Sequence, residues 1–221
     1  MAEASVFLKG LTPATASLFE TVSCLDCIKG LYLCGGTAQS LMMNHRLSED
    51  LGFELLGIAK NRPELQTSQI IKEIETAFPQ TRREILGTNH FLLFVEDSVK
   101  LSFFRPKYAV PHLSRGFVHN NLVTPDLQDL LGMKLYTITV RDAFRDYYDI
   151  YCLLRSGYDL KEGVRYACAF SRHTIHSKDF YSRLLFCEGY PAMNDFYRMK
   201  PVYKIRPEDI VQQVKTCLEN Y

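Results

Sequence analysis

The chain has 221 residues, with 26 Lys and Arg against 25 Asp and Glu, a formal net charge of +1 and 47% hydrophobic residues. This length suits one compact domain, or a domain with a helical appendage, and the apolar fraction is enough for a real core. A charge so close to zero excludes strong global attraction to nucleic acid and leaves room only for a local basic patch.

In chain order, the opening MAEASVFLKGL lacks the basic start and apolar core of a signal peptide, and no later apolar run approaches a membrane span. Residues 12–28 read as a helix, with Thr12 and Thr15 as candidate caps and Leu18, Phe19, Val22 and Leu25 at helical spacing. Cys24 and Cys27 form a lone CxxC, read as two small buried residues. Seven cysteines without a repeating framework point to a reducing cytoplasm.

Leu31–Cys34 reads as a buried strand, Ala38–Asn44 as a short helix and Ser48–Leu56 as a returning strand. Thr67 or Ser68 is the expected cap of a helix carrying Ile70, Ile71, Ile74 and Phe78 on one face. Extended runs follow at 83–86, 90–96 and 99–104, with Asp97-Ser98 as a hairpin turn. The stretch 106–122 reads as loop. Thr124-Pro125-Asp126 reads as a helix start, from a capping hydroxyl, a proline and an early acid. That helix is expected to end near Val140. Others are expected from about Asp142 to Arg155, then over 160–170, 178–188 and 207–220. Strands first and helices after give α+β: a small mixed sheet over 1–122 and a helical region over 123–221 packed on it.

Chemistry concentrates in LYLCGGTAQSLMMNHRLSEDLGF. Gly35 and Gly36 lack a Cβ, so the backbone can turn sharply and approach a phosphate. The helix after them aims its first amides at the same spot. Asp50 returns beside that turn and can hold a divalent cation against the phosphate. In the second half, Leu127, Leu131, Lys134 and Ile138 share one helical stripe. Lys134 on an apolar face must either snorkel or meet an anion. Asp142, Arg145, Asp146 and Asp149 read, on spacing alone, as a solvated, salt-bridged face.

GGTAQSLMMNHRLSEDLGF resembles the signature of the AbiEii/AbiGii group of nucleotidyltransferase-like toxins in the polymerase-β-like superfamily. Gly35, Gly36, Thr37, Ala38, His45, Arg46, Ser48, Asp50, Leu51 and Phe53 carry the likeness. Gly52 stands where that pattern has a second Asp. A further match runs through Met133, Lys134, Leu135, Ile138 and Arg141, then Arg145, Asp146, Asp149 and Ile150. The strand VKLSFF, with Ser102 where related enzymes place a third carboxylate, is a weaker match.

The resemblance implies a nucleotidyltransferase that moves an NMP from an NTP to an RNA, foremost tRNA, or to a protein. It would be the toxin of a toxin–antitoxin pair with a cognate antitoxin. It implies triphosphate contacts from Gly35, Gly36, Thr37, Arg46, Ser48 and Lys134, and a cation (Mg²⁺ or Mn²⁺) on Asp50 and Asp149. It further implies a catalytic set of Asp50, Lys134 and Asp149 assisted by Asp146, in the cytoplasm and without a membrane partner. The alternative is a nucleotide-binding or regulatory, partner-binding module, because Gly52 removes one metal carboxylate. Glu49 is expected on the opposite strand face from Asp50, and Glu54 is expected to reach the site only through a bulge. Lys100 and Arg105 read as a charged strand edge and Ser48 as a turn hydroxyl. His173, His176 and Cys187 fit no usual zinc spacing.

Overall fold

The computed structural model describes residues 7–57, 64–141, 143–193 and 196–219. The first six residues of the opening run, the Asp142 helix start, the 194–195 stretch and the last residue of the 207–220 helix lie outside them, as does the side chain of Cys187.

The fold is α+β. Helix α1 (Pro13–Cys24) and a short 3-10 turn lead into β1 (Tyr32–Cys34), α2 (Gly35–Met43) and β2 (Leu51–Glu54). Helix α3 (Thr67–Ala77) precedes β3 (Thr81–Gly87), β4 (His90–Val95) and β5 (Val99–Phe104). A separate hairpin of β6 (Arg115–His119) and β7 (Leu122–Pro125) leads to α4 (Leu127–Val140) and α5 (Phe144–Arg155). Helices α6 (Leu160–Phe170), α7 (Ser177–Leu185) and α8 (Pro207–Glu219) complete the chain.

The main sheet is mixed, in the order β1-β2-β5-β4-β3. Only β2 and β5 run parallel, pairing Gly52 with Ser102. The two-residue period of a strand then sorts the sheet into two faces. Leu51, Phe53, Phe91, Leu93, Leu101 and Phe103 are buried against Leu18, Phe19 and Val22 of α1 and Ile70, Ile71 and Ile74 of α3. The alternate residues face an open cleft. A second core, rich in aromatics, packs α4–α8 around Tyr147, Tyr148, Ile150 and Leu153. Cys34, Ala38, Leu56 and Val110 meet Leu130, Met133, Tyr166 and Phe170 across the join.

Several local expectations are corrected. The stretch 106–122 is not all loop, because Arg115–His119 pairs antiparallel with β7. Its signal in the sequence is Asn120-Asn121, a turn dipeptide with Asn120 at φ 51°. Thr124 and Pro125 belong to β7 rather than to a helix start. Thr124 Oγ1 accepts from the Phe117 amide, and Asp126 caps α4 by accepting from the Asp129 amide at 2.8 Å. The hairpin after β4 turns at Glu96-Asp97, both with φ 51°, one residue earlier than expected. Gln66, without a side-chain cap, precedes α3, so neither Thr67 nor Ser68 caps it. The first helix ends at Cys24, where the chain tightens into the 3-10 turn at Asp26–Ile28.

Candidate functional site

The cleft lies between the polar face of the sheet and the edge of α4 and α5, and encloses about 370 Å³. Gly35, Gly36, Thr37, Arg46, Ser48, Asp50 and Lys134 all line it. The helix begins at Gly35 itself, whose φ of +70° only glycine adopts readily. Gly36 has a separate reason to be glycine: a Cβ there would lie 2.1 Å from Arg46 Nη2. The bare backbone makes room for a guanidinium. Thr37 is fixed by its hydroxyl, which donates to the Asp50 carbonyl and lies 2.8 Å from Ser48 Oγ. Ser48 therefore buttresses the cleft and does not cap a turn.

Asp50 stands at the mouth, its side chain 37% exposed, 2.7 Å from Lys100 Nζ. Lys100 is thus a cleft residue on a central strand and not a charged edge; Arg105 is not among the lining residues. Glu49 also lines the cleft, because it and Asp50 precede β2 and escape strict alternation. Glu54 faces the cleft without any bulge, since β2 keeps unbroken register with both neighbours. Positions 52 and 54 share the cleft side of β2, and Asp50 lines the same cleft from just before the strand. Burial raises the Glu54 carboxyl to about 7 against the opposing pull of Arg141 and Lys134.

Asp149 and Asp146 stand behind the cleft wall and do not line it; both are fully buried. Asp149 takes Arg46 in a two-pronged pair, Nε to Oδ1 at 2.7 Å and Nη2 to Oδ2 at 2.8 Å. It also takes His45 Nε2 at 2.8 Å and Lys134 Nζ at 2.5 Å. Asp146 binds Lys134 Nζ at 2.7 Å and the Arg141 guanidinium at 2.7 and 2.8 Å. The solvated-face reading of Asp146 and Asp149 therefore fails: both carboxylates are enclosed, and each has cations on it. Burial by itself pushes the Asp149 carboxyl upward, and Arg46, Lys134 and His45 together reverse this and hold it well below the ordinary range. Burial lowers His45 against the opposing pull of Asp149, whose Oδ1 lies 2.8 Å from His45 Nε2. Three cations, Arg46, Lys134 and Arg141, line the cleft with two carboxylates behind them, and Lys100 and Arg145 bring the lining to five positive charges. Such an array has the charge to hold an anion.

The carboxylate donors fit one cation and not two. No group of three or more His, Cys, Asp and Glu able to hold an ion occurs among the described residues. Gly52 and Ser102 sit side by side where further carboxylates would be needed. Mg²⁺ commonly takes one or two carboxylates and completes its shell with water and substrate phosphate, which Asp50 beside the start of α2 satisfies. Glu54 does not share that ion, because four residues of strand put its Cα about 13 Å from that of Asp50. The role of Arg141 in the lining was not legible beyond its motif match. Glu54 was findable by counting in twos from Asp50.

The family model for the nucleotidyl transferase AbiEii toxin of type IV toxin–antitoxin systems matches residues 17–194. An uncharacterized protein of Aquifex aeolicus (strain VF5), aq_aa25, is 31% identical over 147 residues, 65% of this chain and 67% of that one. Among solved structures, JHP933 from Helicobacter pylori superposes with a TM-score of 0.55 at 13% identity, over 95% of this chain and 94% of its own. A candidate nucleotidyltransferase from H. pylori superposes with a TM-score of 0.54, also at 13% identity, over 95% and 96%. At that identity the two structures bear on the fold alone.

Proposed function

The chain belongs to the AbiEii nucleotidyl transferase toxin family, and from that premise we propose that its cleft binds an NTP and transfers the NMP to an RNA, foremost tRNA, or to a protein. The observation that carries this reading is the convergence on one cleft of the Gly35–Thr37 backbone, Asp50, Lys134, Arg46 and Arg141. Amides at the start of α2 and three cations suit the β- and γ-phosphates. The acceptor hydroxyl gives its proton to solvent as its oxygen forms a bond to the α-phosphorus, the bond from that phosphorus to the β-phosphate oxygen breaks, and pyrophosphate leaves with the electron pair. A bound Mg²⁺ or Mn²⁺ supplies charge neutralisation on the phosphates. Asp50 would hold that cation, Lys134, Arg46 and Arg141 take up charge on the leaving group, and Ser48 and Thr37 fix the Asp50 backbone.

Asp146 and Asp149 enter this reading as positioning residues, because their oxygens already carry Lys134, Arg46 and Arg141. A cognate antitoxin and a cytoplasmic setting belong to the same reading and rest on the family. The test is incubation with labelled NTPs and bulk RNA, comparing wild type with Asp50→Ala. Label transferred by wild type and lost in the variant is expected; equal labelling by both, or none by either, overturns catalysis.

A second reading, a nucleotide-binding module that regulates or docks a partner, is supported by Gly52. A Cβ there would meet nothing closer than the Cys34 carbonyl at 4.0 Å, so the missing carboxylate is not excluded by space. Tight NTP binding without turnover, with turnover appearing in Gly52→Asp, favours this reading. An already competent enzyme changes little on that substitution.

A further inference from the structure

A second cavity of about 410 Å³ opens from the inner end of the cleft. It is mostly apolar, walled by Phe104, Leu130, Met133, Tyr136 and Phe170, with Tyr136 edge-on to Phe170 at 4.8 Å. Gly35, Glu54, Lys134 and Arg141 line both spaces and so form the neck between them. At that neck Gly35 has no side chain, and Lys134 and Arg141 are held by Asp146. The Glu54 carboxylate takes no hydrogen bond from any described residue.

An anion-binding cleft, an acceptor at a neck and an apolar chamber repeat the order of parts along a nucleotide: phosphates, sugar, base. We propose that the apolar cavity receives the nucleobase and that Glu54 accepts a hydrogen bond from a ribose hydroxyl, making the site selective for ribonucleotides over deoxyribonucleotides. This rests on the cleft being the triphosphate site. The chemistry favours a hydroxyl at this point. A hydroxyl offers Glu54 a donor for its ionised form and an acceptor for its neutral form, whereas a phosphate offers the ionised form no donor. The cavity itself has the usual make-up of a small-molecule site, apolar walls with few polar groups.

Calorimetry on the full chain with Mg²⁺ tests the assignment, using inorganic tripolyphosphate, the four ribonucleoside triphosphates and their deoxy counterparts. Wild type should bind at least one ribonucleotide about tenfold or more tightly than its deoxy counterpart, the scale of one hydrogen bond to a charged group. Glu54→Ala should bring the two within about twofold and leave tripolyphosphate unchanged. Filling the chamber from α4, with Thr137→Trp or with Val140→Trp at the 62% exposed rim, should reduce NTP affinity toward that of tripolyphosphate. Two rim and wall positions guard against one variant failing to fold. If wild type binds tripolyphosphate and NTPs equally, the chamber is not a base site and serves the acceptor instead. If the ribo-to-deoxyribo ratio survives Glu54→Ala, the role of Glu54 is overturned. Failure to bind tripolyphosphate at all rejects the triphosphate cleft itself, and this inference with it.

Discussion

Two aspartates of similar sequence appearance have opposite physical situations. Asp149 is fully enclosed among Arg46, Lys134 and His45, whereas Asp50 is more than a third exposed with Lys100 beside it. Removing one partner of a buried charge set leaves the others uncompensated, so Asp149→Asn should destabilise the protein by about 3–5 kcal/mol in urea denaturation. Asp50→Asn should cost less than about 1 kcal/mol, because an exposed pair contributes little, yet it should abolish nucleotide transfer. Equal stability losses for the two variants would contradict the division into anchor and ligand. The glycines divide in the same way. Gly36→Ala drives a methyl into the Arg46 guanidinium and should cost about 1–3 kcal/mol. Gly52→Asp enters open space, and its denaturation midpoint should stay near wild type.

Strand β2 shows how pH acts on the cleft. Burial raises Glu54 to about 7 from an ordinary 4.5, so the neutral acid is the form the fold prefers. Its stabilising contribution is fully present below about pH 4.5 and is lost as pH rises through about 7. Glu54→Gln stays neutral throughout. The variant should therefore exceed wild type in urea midpoint at about pH 8, with the gap closing toward about pH 5. A gap that widens on acidification would give the shift the wrong sign. The same strand marks what was legible in the sequence. The β1–α2–β2 unit was within reach, because glycine placement and an apolar alternation are local signals; the parallel pairing of β2 with β5, about fifty residues on, was not. The β6–β7 hairpin was missed because Arg115–His119 is mostly half-exposed and its alternation is weak; the better cue was the Asn120-Asn121 turn. Burial of Asp146 and Asp149 could not be read locally. The partner of Asp149, Arg46, lies 103 residues earlier, and on spacing alone a helix rich in Asp and Arg looks solvated.

The cleft is built across the whole chain, which sets how the molecule should unfold. Arg46, in the α2–β2 connection, finds its counter-charge on α5, and Cys34 and Ala38 find much of their apolar cover on α4 and α6. The boundary expected at 122/123 falls inside β7, and the site draws on both sides of it: Asp50 and the glycine turn from before it, Lys134 and Arg141 from after it. It does not imply two independent folding units. A fragment ending at residue 122 would leave the Arg46 guanidinium buried or displaced without its carboxylate, and would uncover Cys34 and Ala38. Such a fragment should keep far-UV helical and strand signal while losing near-UV tyrosine dichroism, the mark of compact but unpacked chain. In the intact chain, which has 13 Tyr and no Trp, tyrosine fluorescence and far-UV dichroism should report one coincident urea transition. An NTP at a hundredfold its dissociation constant should shift that single transition by about 2.7 kcal/mol, because both halves hold the ligand. Two separated transitions, with the nucleotide moving only one of them, would place the triphosphate within a single half and break the link between the Arg46–Asp149 pair and binding.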